Sequence, residues 1–196
     1  MTIAKRNKKQ VMELCLHQTQ PSQENISFPL FCMLKRSFSY VLQRFGNRDS
    51  DPFIPSLGMS NKELEKMLSF FSISMDDSQG GSLGTYLECY EEHKMLVEFF
   101  LRYRNRQGDM SLWIAHLLAT ASLGENHLWQ DMGLKNRDEL GSVLRAFFFP
   151  LFEANKEDMR WKRFFYRKLC EEEGLFVCKA PNCKDCLDRP ICYGPE

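Results

Sequence analysis

The chain has 196 residues, 43% of them hydrophobic and 27% charged, a length and balance that suit one globular domain with a real core. Its 26 Lys and Arg offset 26 Asp and Glu, so overall charge gives no ground for nucleic-acid or membrane-surface binding. No stretch reaches the length of a membrane span, and the segment after the basic start MTIAKRNKK is too short and too polar for a signal-peptide apolar region. A cytoplasmic protein with no nucleic-acid and no membrane partner is the expectation.

Apolar residues recur at helical spacing along most of the chain. Leu30, Phe31, Leu34, Phe38, Val41, Leu42 and Phe45 predict a helix over 30–45, with Gly46 at the position of a C-terminal cap. The stretch NRDSDPFIPSLGM, punctuated by Pro52 and Pro55, reads as a loop. Ser60 and Glu63 then make a capping-box pattern, flanked by Met59 and Leu64 at staple positions, and start a helix through about Phe71. MDDSQGGSLG reads as a connector, followed by predicted helices over 85–106 and 109–122. In HLWQDMGL a short turn ends at Gly133. Asn136 with Glu139 caps the next helix, which runs to about Phe148 before Pro150. A last helix is predicted over 156–173. No period-two strand, internal repeat or Gly-rich phosphate loop interrupts the pattern, so the fold expected is all-α. The division expected is a helical domain over 1–174 with a C-terminal segment, 175–196, packed on it as one structural unit.

The helix over 156–173 has two faces of interest. Trp161, Phe165 and Leu169 form a core-facing stripe, while Lys156, Arg160, Arg163 and Arg167 fall on another face. Glu171, Glu172 and Glu173 crowd its last turn, where acids oppose the helix dipole; pairing with Arg167 and Lys168 would offset this. Gly174 suits a left-handed cap that redirects the chain. The basic face is either solvated surface or an attraction for an anionic cargo or partner. Cys170 is either a core thiol or one that points toward the cysteines beyond it.

Elsewhere the reactive side chains are scattered. Cys15, Cys32 and Cys89 lie among apolar neighbours and read as buried, inert thiols; His17, His93 and His116 read as isolated and receive no role. His127 and Asp131 are four apart and would share a helical face. One reading is a packed corner in which Asp131 satisfies backbone or imidazole donors. The other brings His127 to the cysteine segment as an additional ligand or proton relay oriented by Asp131.

The densest chemistry is at the end of the chain, CKAPNCKDCLDRPICYGPE. Cys178, Cys183, Cys186 and Cys192 are spaced Cys-x4-Cys-x2-Cys-x5-Cys within fifteen residues, and Pro181, Asn182 and Pro190 supply turn geometry between them. Four thiolates so close can converge on one metal centre. Structural zinc sites usually use two separated Cys pairs, whereas compact four-thiolate runs suit an iron–sulfur cluster, which is wider than one ion. In a cytoplasmic chain clustered cysteines favour metal over disulfides. Lys179, Lys184 and Arg189 lie between the ligands, where they can offset thiolate and cluster charge.

The segment MRWKRFFYRKLCEEEGLFVCKAPNCKDCLDRPICYGPE resembles the C-terminus of the NifQ family of nitrogen-fixation proteins. HLWQDMGL at 127–134 and the Arg137, Glu139, Leu140 pattern resemble the same family in the same order. The resemblance covers about the last seventy residues. It implies a carrier of a molybdenum–iron–sulfur cluster that supplies molybdenum for the nitrogenase iron–molybdenum cofactor, with Cys178, Cys183, Cys186 and Cys192 as ligands. It also implies partners: the cofactor-assembly scaffold complex, the nitrogenase iron protein, and molybdate or a molybdenum-supplying protein. No nucleophile–base pair or substrate-pocket pattern occurs, which fits a carrier and not an enzyme. Two rivals remain open from the spacing, a structural zinc module that mediates contacts and an electron carrier of ferredoxin type.

Overall fold

The computed structural model describes residues 26–46, 54–74, 83–174 and 189–193, with backbone alone for 83–89, 189 and 191. These residues form nine α-helices and one 3-10 turn, with no strand among them. In chain order they are α1 (Phe28–Phe45), the 3-10 turn Pro55–Gly58, α2 (Asn61–Phe71), α3 (Leu83–Arg102), α4 (Asp109–Ser122), α5 (Leu128–Asp131), α6 (Arg137–Phe147), α7 (Phe149–Ala154), α8 (Trp161–Glu172) and α9 (Arg189–Tyr193). The all-α expectation holds, and no described helix is long and apolar enough to cross a membrane. The basic start with Cys15 and His17, the Cys89 side chain and most of the segment after Gly174 lie outside the described residues.

The centre of the molecule is α4. Met110, Trp113, Ile114, Leu117, Leu118 and Ala121 are buried on it, and so are Ser111, Thr120 and Ser122, so no face is left for solvent over most of its length. A helix apolar all round must be covered all round, and α1, α3, α5 and the 3-10 turn pack against it. Aromatic rings fill the layers on either side. Phe38 and Phe71 meet at 5.0 Å between centroids, and Phe100 of α3 meets Phe165 of α8 edge-on at 4.9 Å.

Caps set several boundaries. At α2 both arms of the capping box form: the Glu63 N–H donates to Ser60 Oγ and the Ser60 N–H to Glu63 Oε2. The hydrogen bond from the Ser60 hydroxyl holds the Glu63 carboxyl below its ordinary value. The Asn136 side chain accepts the Glu139 N–H and starts α6. Other expectations need correction. Helix α3 ends at Arg102 because Asn105 leaves it to serve another junction: its N–H donates to Phe147 O, its side-chain amide to Ala146 O, and its Oδ1 accepts the Phe149 N–H. Helix α6 ends at Phe147, ahead of Pro150 as expected, and Pro150 sits in the first turn of α7, where its missing N–H costs nothing. Cys32 is exposed, because it lies two residues, about half a turn, from the inward Leu34.

The stretch NRDSDPFIPSLGM, a loop by its prolines, contains the 3-10 turn Pro55–Gly58. Ser56 and Leu57 both have positive φ (56° and 53°), followed by Gly58 at 69°. Leu57 is wholly buried and its carbonyl accepts from His116 Nδ1 at 3.0 Å. A Cβ on Gly58 would stand 2.4 Å from His93 Cε1, so the turn presses its backbone onto that ring. The two histidines are therefore not isolated. Their rings lie 5.5 Å apart, and His93 Nε2 hydrogen-bonds Thr120 Oγ1 at 3.2 Å.

A buried carboxylate fixes α8. Asp131 has no exposed surface and accepts from the Asn126 N–H, from Asn126 Nδ2 and from Lys162 Nζ at 2.6 Å, with Arg44 Nε at 3.7 Å. Lys162 also donates to Gly124 O, and a Cβ on Gly124 would collide with the carboxylate at 2.5 Å. Burial lowers the Lys162 pKa, opposed by the Asp131 hydrogen bond and charge. Asp131→Ala is expected to cost about 3 kcal/mol, because it leaves a largely buried ammonium without its counter-charge. Adding Lys162→Met should recover part of that loss. Equal urea midpoints for Asp131→Ala and wild type would refute the role given to this pair.

The His93–His116 pair predicts an acid dependence. Burial, with a smaller repulsion from His116, depresses His93 to about 4, and burial also lowers His116. Between that value and the unfolded value near 6.5 the unfolded chain binds a proton that the folded chain refuses, so stability is full above about 6.5 and falls as pH drops toward 4. The His93 share is on the order of 3 kcal/mol. Thermal unfolding of wild type and His93→Gln from pH 7 to 4.5 measures it. Wild type should lose stability the more steeply, and parallel curves would contradict the assignment.

Candidate metal centre

Of the four C-terminal cysteines, Cys192 is described; Cys178, Cys183 and Cys186, with Lys179 and Lys184, lie outside the described residues. Cys192 is half-buried on α9 and packs with Tyr193 against the helical core. Its carbonyl accepts the Arg160 N–H at 2.8 Å, and the Tyr193 hydroxyl donates to Glu157 Oε2 at 3.0 Å. The last cysteine of the run is thus seated on the body of the protein, at the N-terminal end of α8.

Helix α8, at whose start it is seated, is shorter than the sequence suggests. It starts at Trp161 and not at 156, because Asn155 closes a turn ahead of it: Asn155 Oδ1 accepts the Met159 N–H at 2.9 Å and Asn155 Nδ2 donates to Met159 O at 2.8 Å. Lys156 and Arg160 therefore precede the helix, and the basic face reduces on α8 itself to Arg163, which is exposed, and Arg167. Arg167 Nε bonds Glu171 at 2.8 Å and Lys168 lies 4.0 Å from the same carboxylate, as the i, i+4 and i, i+3 spacing suggested. Trp161, Phe165 and Leu169 face the core as expected.

The acids of the last turn have a partner the sequence did not reveal. Glu172 accepts from Arg102 at 2.7 Å and from the Tyr103 hydroxyl, so the C-terminal end of α8 is bolted to the end of α3. Burial and this hydrogen bond push the Tyr103 pKa up to about 12. Partial burial would raise the Glu172 carboxyl, but the bonds from Tyr103 and Arg102 outweigh it and hold the carboxyl low. Gly174 follows at φ 70°, the left-handed conformation expected there.

The two additional candidates sit apart. Cys170 is half-buried on α8, ten residues beyond Arg160 and so about 15 Å along the axis from the backbone group that holds Cys192. His127 is the N-cap residue of α5, with its N–H on Gln130 Oε1 at 3.1 Å. Asp131 turns away from it to Asn126 and Lys162, so this carboxylate satisfies a backbone donor and an ammonium, not an imidazole. Through Lys162 the His127 corner and Cys192 nevertheless hang from the same first turn of α8. Among the described residues no three His, Cys, Asp or Glu side chains converge to hold a metal.

The donor set itself can be tested for fit. Cys192 sits at partial exposure on a short helix. Four thiolates are a soft donor set suited to an iron–sulfur cluster.

The NifQ family model matches residues 38–194. Protein NifQ of Azotobacter vinelandii is 35% identical over 152 residues, which cover 71% of this chain and 78% of that protein. Shorter matches are 38% identical over 103 residues to the NifQ homolog of Sinorhizobium fredii and 42% identical over 81 residues to Protein NifQ of Klebsiella pneumoniae. They cover 53% and 41% of this chain, and the chain spans 45% and 48% of those two relatives' lengths. No solved structure matches. With the family model extending over most of the chain, from α1 to the end of the cysteine run, the protein belongs to the NifQ family.

Proposed function

We propose that the protein carries a molybdenum–iron–sulfur cluster on Cys178, Cys183, Cys186 and Cys192 and donates its molybdenum to assembly of the nitrogenase iron–molybdenum cofactor. NifQ membership supports a role in nitrogen fixation. The observation that carries the finer reading is the Cys-x4-Cys-x2-Cys-x5-Cys run within that family, its last cysteine seated at the surface of a body that has its own core. The cluster is cargo. Soft thiolates suit iron and sulfide, whereas free molybdate is an oxyanion that four cysteines would bind poorly, so molybdenum travels as part of a sulfide cluster. The chain acts as a carrier and not a catalyst. Its acceptors are the cofactor-assembly scaffold and the nitrogenase iron protein, and its supply is molybdate or a molybdenum-supplying protein, all in the cytoplasm.

Donation requires that cargo be held and then released without the fold being lost. The helical core supports this division, because no described cysteine is among its buried residues. Protein isolated without oxygen from nitrogen-fixing cells should be brown and contain iron with a lesser, stoichiometric amount of molybdenum. Cys183→Ala or Cys186→Ala should abolish stable binding, while Cys32→Ala, at an exposed position on α1, should leave it intact. Zinc at one per chain without visible absorption would replace this reading by a structural module. Iron without molybdenum would replace it by an electron carrier.

A further inference from the structure

We infer that the turn from Asn155 to Arg160, braced by Arg137, is an anchor that positions Cys192 as a cluster ligand held by the body of the protein; the inference rests on the cluster-carrier reading above. Arg137 opens α6, and its guanidinium donates to Asp158 Oδ1 and to Met159 O, each at 2.8 Å, while lying over the Trp161 ring. Asn155 also holds Met159, donating to the same carbonyl oxygen and accepting the Met159 N–H, and the Asp158 N–H donates to Asn155 O at 3.1 Å. Between these grips Asp158 is held at φ 58°, a conformation an aspartate adopts more readily than most residues but still at a cost. The result is a rigid turn whose outward groups are the Arg160 N–H and the Glu157 carboxylate.

Those two groups receive the end of the cysteine run. The Arg160 N–H takes the Cys192 carbonyl and Glu157 takes the Tyr193 hydroxyl, so consecutive residues of α9 are held through backbone and through side chain. Burial of Cys192 and Tyr193 against the core adds a third restraint. A five-residue helix has no stability of its own, so α9 keeps its place through this docking. Arg137, Asn155, Glu157 and Tyr193 act on the thiol through that seat and are positioning residues. One ligand held by the body lets a cluster assemble against a preset point.

The test uses the full chain. In reduced, metal-free protein, alkylation of Cys192 by iodoacetamide, followed by mass spectrometry, reports how often the seat opens. Loss of one of its hydrogen bonds should raise that rate about three- to ten-fold. Tyr193→Phe removes the hydroxyl alone. Arg160→Pro removes the N–H where φ is already −53°, a value the proline ring accepts, with Arg160→Ala as its control. Arg137→Gln loosens the turn. Each of the three should raise Cys192 alkylation and leave that of exposed Cys32 unchanged, while Glu157→Gln, which keeps an acceptor, should behave as wild type. Anaerobically loaded protein should then lose iron to a chelator faster in the three variants than in wild type. Unchanged Cys192 alkylation in Tyr193→Phe and Arg160→Pro would overturn the anchor. Raised alkylation with wild-type iron retention would overturn its role toward the cluster. Wild-type protein that holds no iron would instead overturn the carrier reading, and the alkylation rates would still decide the anchor.

Discussion

A carboxylate with no exposed surface ties together the pieces on which the site depends. Asp131 ends α5, binds the Asn126 loop through two donors, draws in Lys162 from the first turn of α8 and lies near Arg44 of α1. Burying such a charge is costly unless every lone pair is used. Here the donors come from sequence positions far apart, so the carboxylate is satisfied only when α1, α5 and α8 are all in place. That makes it a device for register more than a source of stability, and the element it registers is the one that seats the last cysteine.

The two ends of α8 are treated differently. Its C-terminal end is held by ion pairing, Glu172 with Arg102, and by the Tyr103 hydroxyl. Its N-terminal end is held by packing, with Trp161 stacked on Phe152 and Phe165 set against Phe100, and by the Lys162 contact. The cysteine run leaves from the first end and is received at the second. Both attachment points of the run are therefore on one rigid rod, and movement of α8 is opposed at each.

Local chemistry was readable from the sequence, and long-range chemistry was not. The bounds of α2 followed from Ser60 and Glu63 because a capping box closes within four residues. The bounds of α4 followed from its apolar run. The early end of α3 did not, because Asn105 answers to Ala146 and Phe149 some forty residues on. The late start of α8 depends on Asn155 and on Arg137, whose partner Asp158 is twenty-one residues away. The cysteine spacing is legible unaided, since four thiols within fifteen residues need no fold to bring them near one another. The seat for Cys192 is invisible until the turn before α8 is built. His93 and His116 looked isolated because twenty-three residues separate them, although one helical layer makes their rings neighbours.

The left-handed turn at Ser56–Gly58 has a consequence for how the protein can change over generations. Position 58 admits glycine alone, since its backbone angle disfavours other residues and the His93 ring fills the space a side chain would need. Position 57 must combine a tolerated left-handed backbone with full burial, which excludes the β-branched residues and the polar ones alike. The most substitution-intolerant short stretch of the described chain is thus expected in a turn that performs no chemistry. In a saturation scan this turn would stand out as sharply as a ligand, for reasons of shape alone.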